Sequence, residues 1–79
     1  MSNLERYNNV FCNVMQIDEG KLIGLKFKES ESWDSIGHMT LIATLEDEFD
    51  ILLEPEDMMS LKSYTEGKDI LSKNYGIQF

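Results

Sequence analysis

The amino-acid sequence predicts an all-α fold, a bundle of four helices, on three observations. Four separate segments carry apolar residues at the spacing that lines one face of a helix. Residues that start or stop helices stand at the ends of three of those segments. Only one short stretch, IGLKFK at 23–28, alternates as a strand does, and it has no second strand to pair with.

The first segment, residues 4–16, sets Leu4, Tyr7, Val10, Phe11, Val14 and Met15 at helical spacing. About seventeen residues follow, 18–34, a long connection for a small domain. Within it Ile23, Leu25 and Phe27 alternate with Gly24, Lys26 and Lys28. We read this as an extended loop that lays the three apolar side chains across the bundle, with a two-stranded pairing as the alternative. The second helix is expected over 35–49. A short third one starts at Pro55, a residue suited to a first turn, and carries Met58, Met59 and Leu61. The fourth follows Thr65 as N-cap, holds Ile70, Leu71 and Tyr75, and stops at Gly76.

Seventy-nine residues make one domain, near the lower size at which a core holds without staples. Cys12 is the only cysteine, so disulfides are not available and a reducing, cytoplasmic setting is expected. There is no cluster of Cys and His to hold a structural metal, and no calcium-binding loop. The start, MSNLERYNN, lacks the basic and apolar parts of a signal peptide. The longest uncharged stretches, 7–17 and 35–45, fall well short of the ~20 apolar residues that span a bilayer.

The net charge is −8, and its distribution is uneven. Between Lys28 and Lys62 there is no basic residue, while ten acidic ones lie there: Glu29, Glu31, Asp34, Glu46, Asp47, Glu48, Asp50, Glu54, Glu56 and Asp57. Such a field repels nucleic acid and anionic membranes and steers basic partners in. Mere solubility is the competing explanation, and the clustering exceeds what solubility needs.

The helix expected over 35–49 has apolar residues on two sides. At ~100° per residue, His38, Leu41, Ile42, Leu45 and Phe49 share one arc, the core face. Ile36, Met39 and Ala43 fall nearly opposite, beside Thr40, Glu46 and Asp47. This second stripe either packs on the long loop or the third helix, or forms an exposed docking strip with an apolar centre and an acidic rim. Ser35 likewise has two readings. It caps the helix, or Asp34 caps it and leaves the serine hydroxyl available for a phosphate ester at the positive end of the helix dipole. A serine hydrolase fails: there is no G-x-S-x-G turn, and the only histidine, His38, lies on the same helix facing the core. We expect His38 to pack and to hydrogen-bond in the loop.

Asp34-Ser35-Ile36, with Leu41 six and Leu45 ten residues past the serine, the run Glu46-Asp47-Glu48, and Phe49-Asp50-Ile51 resembles the signature of acyl carrier proteins. The resemblance extends along the whole chain, through the long loop and a third helix opened by Pro55-Glu56-Asp57. It implies an acyl-carrier-protein-like four-helix bundle with a long loop between helices one and two. It also implies a phosphoprotein in which a phosphopantetheinyl transferase attaches 4′-phosphopantetheine to Ser35, beside Asp34. The arm's thiol then carries an acyl group as a thioester, and the carrier, not itself an enzyme, presents it to partners. Those would be a loading ligase or acyltransferase and the downstream synthases of fatty acid or polyketide biosynthesis, met by a cytoplasmic monomer. On this resemblance Ile36, Met39 and Ala43 form the centre of the docking strip, and Glu46, Asp47 and Glu48 offer charges to basic patches. A small bundle of this kind could also shelter an apolar chain, with Met15, Met39, Met58 and Met59 repacking around it. An aminoacyl or peptidyl carrier, and an unmodified acidic helical interaction module, are the alternatives.

The chain departs from the family pattern at three places. Thr40 stands where an acidic contact residue is common, Gly37 where aspartate is, and Ser30-Glu31-Ser32-Trp33 replaces a small, glycine-containing turn. The stretch WDSIGHM resembles stand-alone carriers of specialised pathways more than the housekeeping one. Trp33 is expected to pin the loop to the helix, with a contact to cargo as the other possibility.

Overall fold

The computed structural model describes residues 1–29 and 32–79, so Ser30 and Glu31 of the preceding motif and charge count lie outside the described residues. Four helices follow one another: α1 (Asn3–Met15), α2 (Ser35–Phe49), α3 (Pro55–Ser60) and α4 (Tyr64–Tyr75). Among the described residues there is no strand, and no helix is long and apolar enough to cross a membrane. The all-α expectation holds as a small helical bundle.

Three of the four helices begin at a side chain that caps a first-turn backbone N–H, and the third begins at a proline. Ser2 and Glu5 form a reciprocal capping box ahead of α1. Pro55 occupies the first turn of α3. The N-cap expected at Thr65 is instead Ser63, whose hydroxyl accepts the Glu66 N–H at 3.0 Å, so α4 starts before Thr65. The pair Ser63 and Glu66 has the spacing of a capping box and outranks a lone threonine. Gly76 ends α4 in the left-handed conformation, as expected.

The long connection is tied down along most of its length. A 3-10 turn at Glu19–Lys21 leads into a second turn, closed by the Leu25 N–H donating to the Leu22 carbonyl at 3.0 Å. Gly24 takes φ +87° in that turn. The turn breaks the alternation that the sequence suggested: Leu22 is buried, and Ile23, expected to lie across the bundle, is 87% exposed. Leu25 and Phe27 do pack on the core. The extended piece also finds a partner. The Phe27 N–H donates to the Lys62 carbonyl at 2.7 Å and the Tyr64 N–H to the Leu25 carbonyl at 3.0 Å, a single bridge between Lys26 and Ser63. The link between α3 and α4 is too short to read as a strand, which is why the sequence offered none.

The core is centred on aromatic rings. Tyr7, Phe11, Trp33 and Tyr64 meet with centroids 4.9 to 5.4 Å apart in tilted or edge-on contacts. The Tyr7 hydroxyl donates to the Tyr64 carbonyl at 2.6 Å, and burial pushes its pKa well above the ordinary tyrosine range. From α2 come Leu41, Ile42 and Leu45, all buried, with Phe49 half-buried. Short α3 is clipped to α4 by Tyr75, whose hydroxyl donates to Asp57 at 2.7 Å and accepts the Glu54 N–H at 2.7 Å.

Candidate functional site at the head of helix two

The N-cap of α2 is Asp34, not Ser35. Asp34 has extended backbone, and its Oδ1 accepts the Gly37 N–H at 2.8 Å. Its carbonyl accepts the His38 N–H at 2.8 Å. The capping part of the first reading of the serine is therefore not met: the cap belongs to Asp34. Ser35 is the first helical residue, is exposed, and has no side-chain hydrogen-bond partner among the described residues. The Ser35 and Ile36 N–H groups belong to the first turn and have no acceptor within the helix.

Gly37 explains one departure from the family pattern. A Cβ built there would lie 2.0 Å from the Ser32 carbonyl oxygen, so the incoming backbone crosses α2 closer than any side chain allows. Trp33, just past the crossing, is fully buried. Its carbonyl accepts the Lys28 N–H at 2.9 Å, and its indole N–H donates to His38 Nδ1 at 3.0 Å. His38 Nε2 lies 2.7 Å from the Met58 carbonyl. An indole N–H only donates and a carbonyl only accepts, so the imidazole carries its proton on Nε2. One side chain thus joins the loop, α2 and α3. The structural role expected for His38 stands, and Trp33 pins the loop to the helix.

The second apolar stripe is at the surface. Ile36 is 78% exposed, Met39 62%, and Ala43 is exposed as well. Packing of Ile36 on the loop or on α3 is therefore ruled out. Met39 forms one wall of a groove of about 360 Å³ between α2 and α3. Met58, Pro55 and Met59 (74% exposed) supply the opposite wall, with Phe27 from the loop, and Lys62 brings the one formal charge. Met15, grouped with these methionines from the sequence, is fully buried in the core and is not among the groove's lining residues. Sequence reading named Met58 and Met59 but missed Phe27, Pro55 and Lys62 as groove residues. Pro55 lies on α3 beside the methionines, whereas only the fold of the long loop and the turn after α3 brings Phe27 and Lys62 to them.

The acidic run separates into three roles. Glu46 accepts the Leu53 N–H at 2.8 Å and so anchors the link after α2. Glu48 pairs with Arg6 at 2.7 Å, and the same guanidinium stacks over Phe49. Asp47 is exposed and has no partner among the described residues. Thr40, in place of the acidic residue common in the family, turns its hydroxyl back to the Ile36 carbonyl at 3.1 Å.

No family model matches the chain, and neither the curated proteins nor the solved structures contain a match to it.

Proposed function

We propose that the chain is an acyl carrier protein, modified with 4′-phosphopantetheine on Ser35 and docking on its partners through α2. The observation that carries this reading is the division of labour at the head of α2. Asp34 does the capping, and the adjacent Ser35 hydroxyl is exposed and has no hydrogen-bond partner among the described residues. A phosphate on that oxygen fits the site, because first-turn N–H groups and the positive end of the helix dipole favour an anion there. The chain itself catalyses nothing on this reading. A phosphopantetheinyl transferase supplies the arm, whose thiol takes the acyl group from a ligase or acyltransferase and hands it on to synthase enzymes in the cytoplasm.

The surroundings support the same reading. Ile36 and Met39 give an exposed apolar centre within about one turn of the attachment point, and Asp47 gives a charge with no partner among the described residues. Weak contacts of this kind, sensitive to salt, suit a carrier that must meet several enzymes briefly. The groove beside Met39 is lined almost wholly by apolar groups, which favours a hydrocarbon cargo over an aminoacyl one, whose ammonium it would leave unpaired.

The test is intact mass after incubation with coenzyme A, magnesium and a broad-specificity phosphopantetheinyl transferase. Wild type should gain one phosphopantetheine group and Ser35→Ala none. No gain by folded wild type, or the same gain by the variant, rejects the assignment.

A further inference from the structure

The chain has one tryptophan and one histidine, and the fold joins them. Trp33 is fully buried, its ring plane lies 16° from that of His38, and its indole N–H donates to Nδ1 at 3.0 Å. The opposite nitrogen, Nε2, carries the proton that meets the Met58 carbonyl at 2.7 Å. The indole thus depends on the one lone pair that a neutral imidazole offers. We propose that Trp33 and His38 form an acid-opened latch, in which a second proton on His38 breaks the indole contact and releases the long loop from the head of α2. The step is the uptake of one proton from solvent by the Nδ1 lone pair, and only the N–H···N hydrogen bond is lost. Two donors then face each other. The Nε2 proton keeps its acceptor, so the break falls on the Trp33 side.

The charged groups around the ring come from each element packed against it. On its own helix Asp34 stands one turn earlier, and its Oδ1 already accepts the Gly37 N–H. The loop brings Phe27, edge-on to the imidazole at 5.3 Å, and the Lys28 ammonium, 5.6 Å from the Phe27 ring. From α3 comes Met58, whose neighbour Asp57 is turned to Tyr75 and Asn74 on α4. After α3, Lys62 lines the same groove as His38. Two ammonium groups and one engaged carboxylate therefore surround the site among the described residues. The buried indole N–H has no other named acceptor, so it regains one only by moving Trp33 toward water. Trp33 directly precedes the Asp34 cap, and Ser32 crosses α2 at Gly37, so the segment released is the one that leads into Ser35. The inference goes beyond the carrier reading and holds whether or not Ser35 bears an arm.

The experiment titrates the full chain by NMR from about pH 8 to about pH 5, where histidine changes charge and carboxylates stay ionised. The ring nitrogen shifts of His38 report its proton, and hydrogen exchange of the Trp33 indole N–H reports the latch. Both signals are unambiguous, since the chain has one residue of each kind. Exchange is read against free N-acetyltryptophanamide at the same pH, which removes the intrinsic effect of acid. Protection of the indole N–H should fall about tenfold across the range, the effect of one buried donor left without a partner. Its midpoint should coincide with that of the ring nitrogens. His38→Gln keeps an acceptor for the indole and a donor for the Met58 carbonyl but takes up no proton, so its protection should stay level. If that variant does not fold, the coincidence of midpoints in wild type decides alone. The proposal is overturned by a ring that takes its proton while the indole stays protected, by His38 remaining neutral throughout, or by the same loss of protection in folded His38→Gln.

Discussion

The two sides of α2 are built from different materials. On its core side the helix shares one cluster with Tyr7, Phe11, Trp33 and Tyr64, rigid rings whose polar ends are all engaged: Tyr7 with the Tyr64 carbonyl, Tyr64 with Asn8, Trp33 with His38. Toward α3 its own Met39 faces Met58 and Met59, flexible thioethers around an open groove. Rings with engaged polar ends pack in one arrangement only, whereas methionines adopt many at little cost. The difference teaches where this small fold keeps its stability and where it can change shape. The aromatic side fixes the position of α2, and the methionine side can alter without unmaking the bundle.

Trp33 and Met59 break or sustain that contrast most directly. Trp33→Ala removes a fully buried ring and leaves His38 Nδ1 without its donor, and should cost about 3–5 kcal/mol. Met59→Ala removes an exposed side chain and should change stability by less than about 0.5 kcal/mol. Denaturant midpoints of the two variants measure both. Similar losses would mean that the groove wall is as much a part of the core as the aromatic cluster.

Gly37 gives the next largest effect, and its sign is informative. Alanine inside a helix is ordinarily favoured over glycine by about 1 kcal/mol. Here the added methyl would meet the Ser32 backbone at 2.0 Å, so Gly37→Ala should destabilise by about 1–3 kcal/mol. Thermal unfolding of the variant checks it. A gain in stability would show that the loop does not cross α2 so closely, and Trp33 would then lose its fixed entry into the core.

These residues also mark how far the sequence could be read. The four helices were legible because their apolar spacing and end residues agree, and the core face of α2 because Leu41, Ile42 and Leu45 share one arc. Gly37 read only as a departure from a pattern, since the reason for it, a carbonyl from a backbone segment arriving from outside the helix, is not a property of the helix. Ile23 was misplaced because alternation along a chain says nothing of a turn that interrupts it. Glu46 and Glu48 read as free surface charge, yet one holds the Leu53 N–H and the other Arg6, partners 7 and 42 residues away. The groove was half legible: its methionines are near in sequence to the motif helix and α3, but Phe27 and Lys62 reach it only through the bridge between the loop and the start of α4.

The smallest expected effect bears most on function. Asp34→Ala deletes the side-chain acceptor of the Gly37 N–H and should cost about 1 kcal/mol. Ser35→Ala deletes a hydroxyl that no described residue uses and should leave stability within about 0.5 kcal/mol of wild type. Chemical denaturation of the pair, under one set of conditions, separates the two. If the order is reversed, Ser35 is the cap after all, and its hydroxyl is accounted for by the fold alone. If the order holds, the head of α2 keeps an exposed serine that stability does not require, which is what a site reserved for chemistry predicts.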